Sequence, residues 1–75
     1  MNKTERIKAK ILDVLPGATV EVRDPYQDGE HFEALVISAQ FEGMPLVKQH
    51  QLVMNALKAD FAQDVHALAL TTRTV

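Results

Sequence analysis

Met44 to Phe61, MPLVKQHQLVMNALKADF, carries the longest clean helical period in the chain. Leu46, His50, Val53, Leu57 and Phe61 recur at three- and four-residue steps, with Val47 and Met54 widening the same face. Lys48, Gln49, Gln51, Asn55, Lys58 and Asp60 fall mainly on the other side. Pro45 suits a first turn, where its missing N–H is no loss, and Gly43 just before it permits a sharp bend. Such a helix must lay its apolar stripe on something, and the strand-like runs around it are the candidates. His50 is the one polar intruder in the stripe. Its position predicts a core or near-core histidine with one ring nitrogen hydrogen-bonded to backbone.

Upstream, Thr19 to Asp24 alternates, with Val20 and Val22 on one face and Thr19, Glu21 and Arg23 on the other. This is the pattern of a half-buried strand. His31 to Ala39, HFEALVISA, reads as a second strand; its apolar run Ala34-Leu35-Val36-Ile37 predicts a central position covered, at least in part, on both faces. Between them, Asp24 to Glu30 is turn-rich: Pro25 breaks pairing and Asp28-Gly29 favours positive φ, so an antiparallel hairpin is the simplest topology. Downstream, Val65 to Thr72 is a third strand, with His66 at its start on the face of Leu68 and Leu70. Asn2 to Leu15 is a first helix, with Asn2 as cap, Glu5 in the capping-box position, and Ile7, Ile11, Leu12, Val14 and Leu15 as its buried stripe. Arg6, Lys8 and Lys10 make a solvated basic face, and Pro16-Gly17 ends the helix. The order is α-β-β-α-β. The expected fold is α/β (α+β): a three-stranded sheet with helices on one face, the third strand returning parallel through a right-handed helical crossover.

Seventy-five residues make one domain, 1–75, near the lower limit for independent folding. A chain this short buries only roughly 60% of its unfolded surface, which leaves no surplus for a deep catalytic cleft. No cysteine is present, so disulfides and thiolate metal sites made by this chain alone are excluded. No apolar run approaches the ~20 residues of a membrane span, and MNKTERIKAK lacks the apolar core of a secretion signal. A cytoplasmic location is the expectation. The net charge of −2 gives non-specific nucleic-acid binding no help.

The three histidines, His31, His50 and His66, are the residues able to carry chemistry. No Ser-His-Asp arrangement or glycine-rich phosphate loop accompanies them, so no catalytic residue is assigned and an enzyme is not expected. Two imidazoles are too few for a closed structural zinc site but suit a site completed by a partner.

Taken together, His31-Phe32, Val36-Ile37-Ser38, Phe41-Glu42-Gly43, Val47-Lys48-Gln49-His50-Gln51-Leu52-Val53, Ala56-Leu57 and Val65-His66-Ala67-Leu68 resemble the BolA family in order and spacing. The resemblance implies a class II KH-like fold and a monothiol glutaredoxin partner. It also implies a [2Fe–2S] cluster shared in that complex with the glutaredoxin cysteine and glutathione. The family's ligand in the third strand corresponds to His66. The family's second ligand is a histidine or cysteine in the loop between the first two strands, and Asp24 to Glu30 contains neither. His31, at the loop's end, is the substitute at hand. Members commonly continue past the third strand with a short helix, whereas the residues here stop at Arg73-Thr74-Val75, with less surface to dock a partner.

The reading is therefore a non-enzymatic adaptor for iron–sulfur trafficking or iron/redox regulation, with His66 and His31 as ligands and His50, Phe41 and Gly43 structural. Histidine ligation raises a cluster's potential and makes it labile to acid. Alone, the chain is expected to be an apo monomer or weak homodimer. The alternative is a KH-like nucleic-acid-binding transcriptional regulator using Lys48, Lys58 and Arg73, although no Gly-x-x-Gly loop is present.

Overall fold

The structure, a computed structural model, describes residues 2–75. Asn2 caps the first helix, α1 (Lys3–Val14): its side-chain oxygen accepts from the Glu5 N–H at 2.9 Å and from the Thr4 hydroxyl at 2.6 Å. Only this half of the anticipated capping box is made among the described residues. Ile7, Ile11 and Leu15 are buried, Leu12 packs partly against them, and Val14 turns outward at 39% exposure. The helix closes at Leu15, and Gly17, at φ +82°, reverses the chain.

Strand β1 (Thr19–Arg23) pairs antiparallel with β2 (Phe32–Ile37), and β2 pairs parallel with β3 (Leu68–Arg73), in the spatial order β1-β2-β3. Between β2 and β3 runs α2 (Leu46–Leu57), the crossover that parallel pairing requires. Period-two alternation divides the sheet. Val20, Phe32, Ala34, Val36 and Thr72 are buried on the helical side, while Glu21, Arg23, Glu33, Ala69, Thr71 and Arg73 stay exposed on the other. The anticipated α-β-β-α-β arrangement, with helices on one face, is the one found.

Strand β2 is central, as expected, but among the described residues no helix covers its second face; Leu35 and Ile37 are half-buried there. It also stops earlier than the apolar run suggested. Ser38 extends the ladder through its N–H to Arg73 O (3.0 Å), then accepts from the Gln40 N–H at 3.1 Å, capping a 3₁₀ turn over Ala39–Phe41. That turn buries Phe41, and Gly43, at φ +76°, aims the chain into α2.

In α2 the stripe is covered from its middle onward. Val53 and Leu57 are buried, and Phe61 joins them from the turn beyond the helix, its N–H bonded to Leu57 O at 2.8 Å. Leu46 and Val47, assigned to the buried face by periodicity, are 59% and 66% exposed. Periodicity finds a stripe but not how far the layer beneath it extends, and here the first turn is uncovered. Gln49, assigned to the polar side, ties α2 to the sheet: it accepts from the Thr72 hydroxyl and donates to Met44 O. His50 is half-buried and makes no side-chain hydrogen bond among the described residues, which corrects its expected backbone tether.

The basic face of α1 is less free than expected. Arg6 stacks over the Phe61 ring, 5.4 Å from its centroid, and Lys10 pairs with Asp60 at 2.7 Å. Both residues lash α1 to the end of α2; Lys8 stays exposed. No helix among the described residues is long and apolar enough to cross a membrane.

Candidate functional site

The parallel register sets Phe32 opposite Leu68. His31 precedes Phe32 by one residue and His66 precedes Leu68 by two, so both imidazoles lie at one end of the sheet. Both are exposed.

His66 does not lie within β3. It belongs to a 3₁₀ turn, Asp64–Ala67, so it does not share a strand face with Leu68 and Leu70. The β2–β3 ladder begins with the Phe32–Leu68 pair, so the residues before Leu68 lie outside it. Val65 bonds back to Phe61 O at 3.1 Å instead, continuing the helical curl. The turn presents the ring of His66 to solvent, with no side-chain hydrogen bond among the described residues.

The ring of His31 meets two side chains, Asp28 and Tyr26. Its Nδ1 lies 2.8 Å from Asp28 Oδ2, and its ring meets that of Tyr26 edge-on, with centroids 5.7 Å apart. Asp28 Oδ1 accepts from the N–H groups of Glu30 (2.9 Å) and His31 (3.1 Å). The loop's start is fixed by Asp24, whose Oδ2 accepts from the Gly29 N–H at 3.1 Å. The backbone bond from Glu30, then the imidazole and N–H of His31, hold the Asp28 carboxyl down at about 2. In return, the hydrogen bond and charge of Asp28 raise His31 above its ordinary value.

Lys3 joins the two histidine-bearing segments. Its ammonium donates to Gly29 O at 3.2 Å and to Asp64 Oδ1 at 3.3 Å, and sits 5.8 Å from the centroid of the Phe32 ring. The hairpin loop and the 3₁₀ turn are thus moored to the same side chain.

Sequence reasoning missed Asp28, Tyr26 and Lys3. Asp28 was findable, since an Asp two and three residues before free N–H groups is a common local cap. Lys3 was not, because its partners are 26 and 61 residues away.

The basic residues do not gather. Lys48 on α2 and Lys58 at its C-cap are exposed on the helical side of the molecule, while Arg73 lies on the open sheet face.

The BolA-like protein family model matches residues 4–75. This chain belongs to the BolA-like family. Mouse BolA-like protein 1 is 36% identical over 75 residues, an overlap that covers 91% of this chain and 55% of the mouse protein. The chain therefore spans about half the length of that relative. The DNA-binding transcriptional regulator BolA of Escherichia coli is 30% identical over 78 residues, covering 95% of this chain and 74% of that protein. Among solved structures, BolA1 from Arabidopsis thaliana superposes with a TM-score of 0.84 at 33% identity, covering 99% of this chain and 93% of its own. The BolA-like fold thus accounts for nearly the whole chain.

Proposed function

We propose that this BolA-like chain is a non-enzymatic adaptor that binds a monothiol glutaredoxin and co-ligates a shared [2Fe–2S] cluster, for iron–sulfur trafficking or iron/redox regulation. The observation that carries this reading is the Phe32–Leu68 register, which sets His31 and His66 at one exposed end of the sheet. Family membership supports it.

The donor set fits one side of such a cluster. Two imidazoles leave the remaining ligands to two thiolates from outside, and this chain has no cysteine of its own. His66 offers a ring without a competing hydrogen bond among the described residues, and His31 keeps Nε2 clear while Nδ1 faces Asp28. The cluster is cargo, and imidazoles suit cargo: a protonated ring cannot bind iron, so acidification releases it.

The test is visible absorption and circular dichroism of this chain mixed with a monothiol glutaredoxin, glutathione, iron and sulfide. A spectrum distinct from that of the glutaredoxin alone, lost in His66→Ala and altered in His31→Ala, is expected. An unchanged glutaredoxin spectrum on adding this chain overturns the reading.

The name of the Escherichia coli relative favours a second reading, nucleic-acid-linked regulation. Lys48 and Lys58 stand on a different face from Arg73, and the net charge is −2, so the electrostatic term that dominates such affinity is weak. Steeply salt-dependent duplex binding, abolished by replacing all three residues with alanine, is the result that would establish it.

A further inference from the structure

We infer that Asp28 is a positioning residue that locks the His31 ring in its Nδ1–H tautomer and turns Nε2 outward as the ligating atom. The inference rests on the cluster-sharing reading for what Nε2 binds, but not for how the ring is held.

One carboxylate does two jobs here. Through Oδ1, Asp28 accepts the backbone N–H groups of Glu30 and His31, which fixes the chain where the histidine departs from it. Through Oδ2 it meets Nδ1 at 2.8 Å. An ionised carboxylate only accepts hydrogen bonds, so the nitrogen facing it must carry the proton. In the neutral ring the lone pair then belongs to Nε2, and Tyr26 meets the ring edge-on at 5.7 Å. Metal-binding histidines characteristically donate their other N–H to a carboxylate or carbonyl, which sets tautomer and direction and strengthens the ligand. Here that partner is in place three residues before the histidine. A loop without His or Cys between Asp24 and Glu30 can in this way still deliver a ligand from its final position.

Asp28→Asn separates the two jobs. The amide oxygen can still cap both N–H groups, while the amide NH₂ now donates to Nδ1 and forces the proton onto Nε2, closing the ligand position. Asp28→Glu restores a carboxylate. The first readout needs no cluster: nitrogen-15 NMR of the His31 ring in the free chain, at a pH where the ring is neutral. The expected result is Nδ1–H in the native chain and Nε2–H in Asp28→Asn, with unchanged far-ultraviolet circular dichroism. The second readout is cluster retention in the glutaredoxin mixture. Asp28→Asn should weaken it about 10- to 100-fold, matching His31→Ala, with partial rescue by Asp28→Glu. An Nε2–H ring in the native chain overturns the inference outright. A retention loss in His31→Ala but not in Asp28→Asn overturns it while leaving cluster sharing intact. Retention lost in His66→Ala yet indifferent to both other variants removes His31, and Asp28 with it, from the site. No distinct spectrum from the native mixture, with the tautomer as expected, overturns cluster sharing and the ligating role together, and only the ring-holding survives.

Discussion

The Thr72 hydroxyl donates to the side-chain oxygen of Gln49 across 2.7 Å, joining the final strand to the crossover helix. The amide NH₂ of Gln49 donates in turn to Met44 O at 2.8 Å, so one side chain secures the strand, the helix and the chain leading into it. Thr72 is 8% exposed, and its hydroxyl therefore has little water to fall back on. Thr72→Val should cost about 1–2 kcal/mol. A double-mutant cycle with Gln49→Ala should return a coupling of about 0.5–1.5 kcal/mol. Urea denaturation measures both, and additive losses would show that the pair is not coupled.

Gly43 sits at φ +76° with open space where a Cβ would project. Gly43→Ala should therefore cost about 1–2 kcal/mol through backbone strain alone, without any steric clash. A melting temperature equal to that of the native chain would rule this out.

The α-β-β-α-β order was legible because Val20 and Val22 alternate, while Val53, Leu57 and Phe61 recur at the helical period. What escaped depended on lengths and on distant partners. Leu46 and Val47 fit the stripe by spacing, yet their exposure is set by where the underlying layer ends. His66 sits in an alternating run, but the β2–β3 ladder begins with the Phe32–Leu68 pair, and the run before it curls into a turn. His31 and His66 were legible as the chemically able residues. Asp28, which meets His31, left a local signal in the loop, whereas Lys3 left none, since its partners lie 26 and 61 residues away.

Lys3→Met keeps an apolar stem over Phe32 and removes the ammonium shared by Gly29 and Asp64. The ion pair is partly exposed, so global stability should change by no more than about 1 kcal/mol. Local mobility should respond instead. Hydrogen exchange is expected to quicken together in the hairpin loop and in the 64–67 turn, and quickening in only one of them would refute a shared mooring.

The Asp28–His31 pair carries a pH signature. His31 is raised above its ordinary value of 6.5, so its contribution is complete below that value and is lost as pH rises through the folded-state one. Asp28 is lowered from 3.8 to about 2, so its contribution is present above the ordinary carboxylate range and is lost as pH falls toward about 2. The pair should therefore favour folding most between these limits, in mildly acid solution. Proton NMR titration of the free chain should find His31 titrating above 6.5 and returning toward it in Asp28→Ala. An unchanged midpoint in that variant would dissociate the two groups.

Because β2 and β3 are joined through the α2 crossover, the register that aligns Phe32 with Leu68 closes a longer stretch of chain than the β1–β2 hairpin does. A nascent chain that has exposed the hairpin and both helices still has its two histidines unassembled. Until β3 docks on β2, His66 is not held at the end of the sheet where His31 lies.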